Sequence, residues 1–133
     1  MNRAQLEAAL RTLSQSHGYA FCRLPSNRLA EVEHLPTVVV EPLTVAQVEG
    51  RGHGRITYGV TLHTMSPAAK LSAQKRSEIL EKMESDLLEI FTALSENERV
   101  VAVENLGITP REYAFTMHGE ISQTARAEVV TYF

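Results

Sequence analysis

The sequence predicts an α+β domain, a mixed or antiparallel sheet with two helices packed on one face, and three stretches carry that expectation. Leu6, Ala9, Leu10 and Leu13 recur at i, i+3, i+4, i+7, one apolar stripe of an amphipathic helix. Ile56, Tyr58, Val60 and Leu62 alternate with Thr57, Gly59, Thr61 and His63, the period of a strand with one apolar and one polar face. Ile79, Leu80, Met83, Leu87, Ile90, Phe91 and Leu94 return to helical spacing, with Glu78, Glu81, Lys82, Glu84 and Glu89 largely opposite. A chain of 133 residues suits one domain, and no repeat or linker divides it.

Each element has its own signals. Asn2 is placed to cap the first helix, Arg3 to Gln15, and Gly18 to end it. Tyr19 to Leu24 reads as a short strand, and Pro25 to Pro36 as a polar loop or a turn of helix. Thr37 to Glu41 sets three valines between two prolines and reads as a short strand, expected at an edge because proline cannot donate to a ladder. Leu43 to Val48 is of undetermined type. Arg55 to His63 is the clearest strand, expected in a sheet backed on one side only. Ser66-Pro67 has the chemistry of a helix start. A helix from there to Leu94 would run about 42 Å, more than the roughly 36 Å expected of the domain, so its polar first third reads as a loop or a projecting turn.

The last third reads as strands: Val100 to Val103, Glu112 to His118 with Tyr113, Phe115 and Met117 on one face, and Ser122 to Tyr132. In the last of these Ala125, Ala127, Val129 and Thr131 face one way. Thr109-Pro110 marks a turn and His118-Gly119-Glu120 a tight hairpin. The predicted order is α-β-β-β-α-β-β-β.

Composition narrows the function classes. Hydrophobic residues at 44% and charged residues at 22% match ordinary globular usage and argue against disordered or fibrous chains. The net charge of −3, with both signs interleaved, offers no concentrated Lys/Arg face for duplex nucleic acid, though a local basic patch stays open. Cys22 is the only cysteine, so no internal disulfide can close, and its apolar neighbours make it a small buried hydrophobe rather than a reactive thiol. The N-terminal stretch lacks the apolar core of a signal peptide, and nothing approaches the ~18 apolar residues of a membrane span. The expected location is cytoplasmic, or within a particle assembled there.

Catalytic templates each lack an ingredient. Asp86 is the only aspartate and falls beside Leu87 in the acidic helix, which leaves no Asp-based triad or Asp-rich magnesium site. Ser72-Ala73-Gln74-Lys75 has S-x-x-K spacing without its S-D-N and K-T-G partners and reads as solvated helix surface. Gly50-Arg51-Gly52-His53-Gly54-Arg55 lacks the G-K-[ST] ending of a phosphate loop and precedes a strand. It reads as a mobile loop feeding a hairpin, or as a contact loop whose Arg51, His53 and Arg55 meet an acidic partner surface. His53 and His63 share a polar strand face, and His118 with Glu120 could approach it, but no close-spaced pair anchors a zinc site and solvated histidines are the simpler reading. Tyr58, Tyr113 and Phe115 fall on strand faces that look like core, which leaves little for base stacking. No catalytic residue, cofactor or metal is assigned.

The order of elements resembles the tail-terminator and tail-completion proteins of long-tailed phages and related contractile machines, and the similar minor tail and head–tail joining proteins. The resembling stretches are Leu35 to Val40, Arg55 to Leu62, Arg76 to Leu94, Glu112 to Thr116 and Ala127 to Val129, matched in order and patterning. The resemblance implies a structural, non-enzymatic phage or prophage protein that self-associates into a ring, commonly of six subunits. Such a ring caps or joins a tail tube and meets tube or connector proteins. Arg51, His53 and Arg55, and the segment Pro25 to Glu33, would then be contact surfaces. Nucleic acid and membrane are not expected as primary partners. Two other classes stay open: a small binding or adaptor module that dimerises through its sheet, and an enzyme whose site is assembled between subunits.

Overall fold

A computed structural model describes residues 1–133. Helix α1 spans Arg3–Ser16 and opens with a closed capping box, the Asn2 and Gln5 side chains each accepting from the other's backbone N–H at 2.8 Å. It ends where Gly18 takes φ +87°, which a residue with a Cβ adopts only at a cost. Strand β1 (Ala20–Arg23), a 3₁₀ helix (Ser26–Glu31), β2 (Thr37–Val40), β3 (Thr44–Arg51) and β4 (His53–Ser66) follow. Helix α2 (Ala73–Ser95) then leads to β5 (Val100–Pro110) and β6 (Ile121–Tyr132). No helix is long and apolar enough to cross a membrane.

The six strands form one mixed sheet in the order β1-β2-β4-β6-β5, with β1 and β2 parallel and the other pairs antiparallel. Long β4 is shared on one side by two short partners. β2 pairs its second half and β3 its first, while β6 runs along the whole of its other side.

Both helices pack on one face, as expected. Leu6 and Leu10 of α1 and Leu87, Ile90, Phe91 and Leu94 of α2 meet Phe21, Val38, Val40, Tyr58, Val60, Leu62, Ala125, Ala127 and Val129 of the sheet. These sheet residues are alternate positions along their strands, which is how the period of two becomes a buried face. Phe91 is 2% exposed at the centre of this layer. Phe91→Ala is expected to cost about 3–5 kcal/mol through lost burial and the cavity left behind. A denaturant midpoint within error of the parent protein's would contradict that placement.

Several expectations are corrected. The uncertain segment after Pro42 is strand β3, so the observed order is α-β-β-β-β-α-β-β with the 3₁₀ helix after β1. β2 is interior, between β1 and β4, because Pro36 and Pro42 lie just outside it and leave its N–H groups free to pair. Ser66 is the last residue of β4, and it is Ser72 whose hydroxyl caps α2, accepting from Lys75 N at 3.2 Å. The polar stretch after Pro67 is thus the loop, and the S-x-x-K pair is a helix cap. Glu112 to His118 is no strand. β5 continues past Val103 to Pro110, and residues 111–120 form the loop that joins it to β6, with a turn before Gly119 rather than a two-strand hairpin. Nor is the sheet backed on one side only. A second small core of Leu29, Val32, Val39 and Met65, with Phe115 packed against it, covers part of the other face under the 3₁₀ helix and the 111–120 loop.

Candidate functional site

The β3–β4 hairpin projects beyond the helical layer. All eight residues of β3 are exposed, and β3 pairs with β4 alone, so the backbone groups on its outer side have no partner strand. The tip turns at Gly50 (φ +94°) and Gly52 (φ +73°), with Arg51 closing β3 opposite His53 opening β4. Glu49 faces Arg55 across the hairpin, and Arg55 in turn faces Tyr132 of β6. Gly54 is required by close approach, since a Cβ there would lie 2.0 Å from Glu49 O and 2.7 Å from the Phe133 ring. Phe133 N donates to Gly54 O at 3.1 Å and holds that ring beside the tip.

The structure therefore brings Arg51, His53 and Arg55 together, at the hairpin's own turn and not on a loop preceding it. Beside them stand half-exposed Tyr132 and Phe133, and Val45 and Val48 lie exposed on β3. Cations, aromatic rings and aliphatic side chains at the end of a stiff arm have the composition of a protein-contact surface.

Roughly 40 Å away along β4, at about 3.3 Å per residue, the 111–120 loop presents a second surface. Its shape comes from one buried carboxylate. Glu120 accepts from Phe115 N at 2.6 Å, Thr116 N at 3.0 Å and Thr116 Oγ1 at 2.6 Å, and Thr116 Oγ1 accepts from His118 N at 3.1 Å. The clasp turns Phe115 inward and leaves Tyr113 (75% exposed) and Met117 (95% exposed) pointing out. Neither of these two faces a core, contrary to the alternation expected for a strand.

Beneath the loop lies a buried cluster. His63 is 3% exposed, with Nδ1 2.9 Å from Thr124 Oγ1 and Nε2 2.6 Å from Glu41 Oε2. These partners suit a neutral ring, Nε2–H donating to the carboxylate and Nδ1 accepting from the hydroxyl. Phe115 meets the imidazole edge-on at 5.2 Å between centroids, and the Arg111 guanidinium lies 3.7 Å over Phe115. Hydroxyl, imidazole and carboxylate stand in the order of a nucleophilic triad. Thr124 and His63 are both buried, and Phe115 packs edge-on against the imidazole. The ring contact between Phe115 and His63 joins the loop to the sheet.

His63 is thus no solvated histidine. Burial lowers its pKa, the Arg126 and Arg111 charges add to that, and Glu41 opposes them without winning. A base depressed in the folded state gives stability that is complete above the unfolded value near 6.5 and is lost as pH falls below it. His17 works in the opposite sense. The Leu13 carbonyl and then Glu89 raise its pKa, so its contribution is present at low pH and fades as pH rises through the folded pKa. In a His17→Gln background the denaturation midpoint is expected to fall between pH 7 and pH 5.5, and adding His63→Gln is expected to flatten that fall. An unchanged slope in the double variant would show that His63 does not govern it.

The other histidines do not assemble around His63. His53 is at the hairpin tip and His118 is exposed in the loop, beside Glu33, Leu35, Pro67 and Ala68. Glu120 is spent on loop amides. Pro25 to Glu33 is mostly the 3₁₀ helix, exposed along its polar side and anchored by Leu29 and Val32. Cys22 is half-buried with its thiol pKa pushed up by burial, as a structural cysteine's is. It borders a cleft of about 220 Å³ with Phe21, Leu24, Val32 and His34, and on its other side a wider, open groove of about 550 Å³ with Glu7, Arg11 and Arg23.

No protein-family model matches the chain, and no curated protein matches it significantly.

Proposed function

We propose that this chain is a structural assembly subunit, of the tail-terminator or tail-completion kind, that joins copies of itself head to tail into a ring and caps or joins a tail tube. One observation carries the reading: β3 is an eight-residue strand, exposed throughout and paired on one side only. Such an edge is a template for another strand, and soluble proteins ordinarily blunt it. Within β3 there is no proline or lysine, and its single register shift, between Val45 and Gln47, leaves Gln47 to Arg51 regularly paired. β5, the edge at the far side of the sheet, is interrupted twice and ends at Pro110.

Charge supports a head-to-tail contact. The tip offers Arg51, His53 and Arg55, while α2 exposes Glu78, Glu81 and Glu84 together with half-exposed Leu88. Two different complementary surfaces on one molecule generate rings when the rotation closes. The Tyr113/Met117 surface, at the other end of the sheet, is then free for a tube or connector protein. The buried Thr124–His63–Glu41 cluster serves the loop, and in this reading the protein carries out no reaction.

The same free edge favours one alternative, a dimeric adaptor module in which β3 pairs with its own symmetry mate. Light scattering across a concentration series, followed by negative-stain imaging, separates the two. Closed rings near six subunits support the assembly reading. A dimer that never grows supports the adaptor, and a monomer at every concentration counts against both.

A further inference from the structure

The end of α1 meets the middle of α2 at three donor side chains. His17 follows the last turn of α1, and its Nδ1 lies 2.9 Å from Leu13 O. Its Nε2 faces α2, 2.8 Å from Glu89 Oε2. Asp86 stands three residues before Glu89 on the same side of that helix. One donor atom from each of His17, Asp86 and Glu89 lies within 4.8 Å of the other two.

The details favour a cation. Donation from Nδ1–H to the Leu13 carbonyl leaves Nε2 as the ring's free donor atom, the outer bond that metal-bound imidazoles usually make. Asp86 uses Oδ2 for both the Tyr19 hydroxyl (2.5 Å) and Lys82 Nζ (2.7 Å), which leaves Oδ1 for a further partner. A neutral imidazole so oriented would set the Nε2 lone pair against a carboxylate oxygen, so a proton must fill the gap. A metal ion in its place meets the same need with more charge.

We propose that His17, Asp86 and Glu89 bind one borderline divalent transition metal, with Zn²⁺ as the reference ion, through three protein ligands and a fourth position open to solvent. Bonds of about 2.0–2.1 Å in a tetrahedral shell set ligand atoms roughly 3.3 Å apart. The 2.8 Å gap must therefore open by about half an ångström, and the Glu89 side chain, 67% exposed, is free to do so. One imidazole with two carboxylates suits zinc, cobalt or nickel better than calcium or magnesium, which prefer all-oxygen shells. The ion would clip together residues 72 apart in sequence. The Lys82 ammonium works against it, but that side chain is 66% exposed and can withdraw.

The test uses the full chain, titrated with Zn²⁺ against a chromophoric chelator and with Co²⁺ by visible absorption. A single saturable equivalent per chain is expected, with a raised thermal midpoint. Glu89→Gln, a surface change that leaves the core intact, and His17→Gln are each expected to weaken binding at least about tenfold. Lys82→Met is expected to tighten it, and a paired change at exposed His53 and His118 to leave it unchanged. Absence of saturable binding at millimolar zinc, or binding that survives both His17→Gln and Glu89→Gln, overturns the proposal.

Discussion

Lysine at both Val45 and Val48 is expected to hold the protein as a monomer at concentrations where the parent chain associates. Both valines are exposed on the hairpin arm, outside the helical layer, so the core has nothing to lose from the change. Charged side chains on an edge strand repel an incoming strand and must be desolvated by it. If each interface loses only about 1.4 kcal/mol, its association constant drops tenfold, and a closed ring multiplies that loss over its contacts. Light scattering reads the effect, and a thermal midpoint within a few degrees of the parent's shows that the fold is kept. A double variant that assembles like the parent would remove β3 from the interface, and with it the observation on which the assembly reading stands.

A second large effect is expected at Glu120. Glu120→Ala leaves the Phe115 and Thr116 amides and the Thr116 hydroxyl without their acceptor inside a buried turn. Hydrogen bonds to a charged group contribute about 1.5–3 kcal/mol, and stranded buried donors cost a similar amount. A loss of about 3 kcal/mol is therefore expected, read as a lower denaturant midpoint and as faster hydrogen exchange at the Thr116 amide. Glu120→Gln keeps one carbonyl oxygen and is expected to lose less. Since the clasp also aims Tyr113 and Met117 outward, binding of any partner at that end should fall in Glu120→Ala beyond what the stability change explains. Unchanged exchange at Thr116 would mean that the loop is held by Phe115 packing alone.

What the sequence discloses follows from which elements touch the core. α1 and α2 each bury one face, and β6 alternates from Ala125 onward, so Leu6, Leu10, Leu87, Phe91, Ala125 and Val129 stand at the right spacing and the elements are readable. β3 buries nothing, and a strand with two wet faces leaves no apolar period to find. Its one available signal is the glycine-rich turn next to Arg55, which marks the tip carrying Arg51, His53 and Arg55 but not the strand leading to it. Tyr113, Phe115 and Met117 mislead in the other direction. They alternate like a strand, yet only Phe115 is packed, because Glu120 five residues on draws the backbone into a turn. The pairing of His63 with Glu41 and Thr124 lies 22 and 61 residues apart in sequence, beyond the reach of any local pattern.

The placement of β6 bears on how the chain reaches this fold. It lies at the middle of the sheet, between β4 and β5, although it follows both in sequence. Thr131 Oγ1 reaches Ile56 O across 75 residues, so the central ladder closes only after a long loop has been ordered. Topologies dominated by such distant pairings fold in milliseconds to seconds rather than microseconds. During that interval β4 shows a bare edge where β6 belongs, and so does β5. To the free β3 edge of the folded molecule, folding thus adds a passing hazard of misassembly at β4, which is paired on both sides once native. Rapid dilution from denaturant should accordingly give more aggregate than the native protein forms at the same concentration.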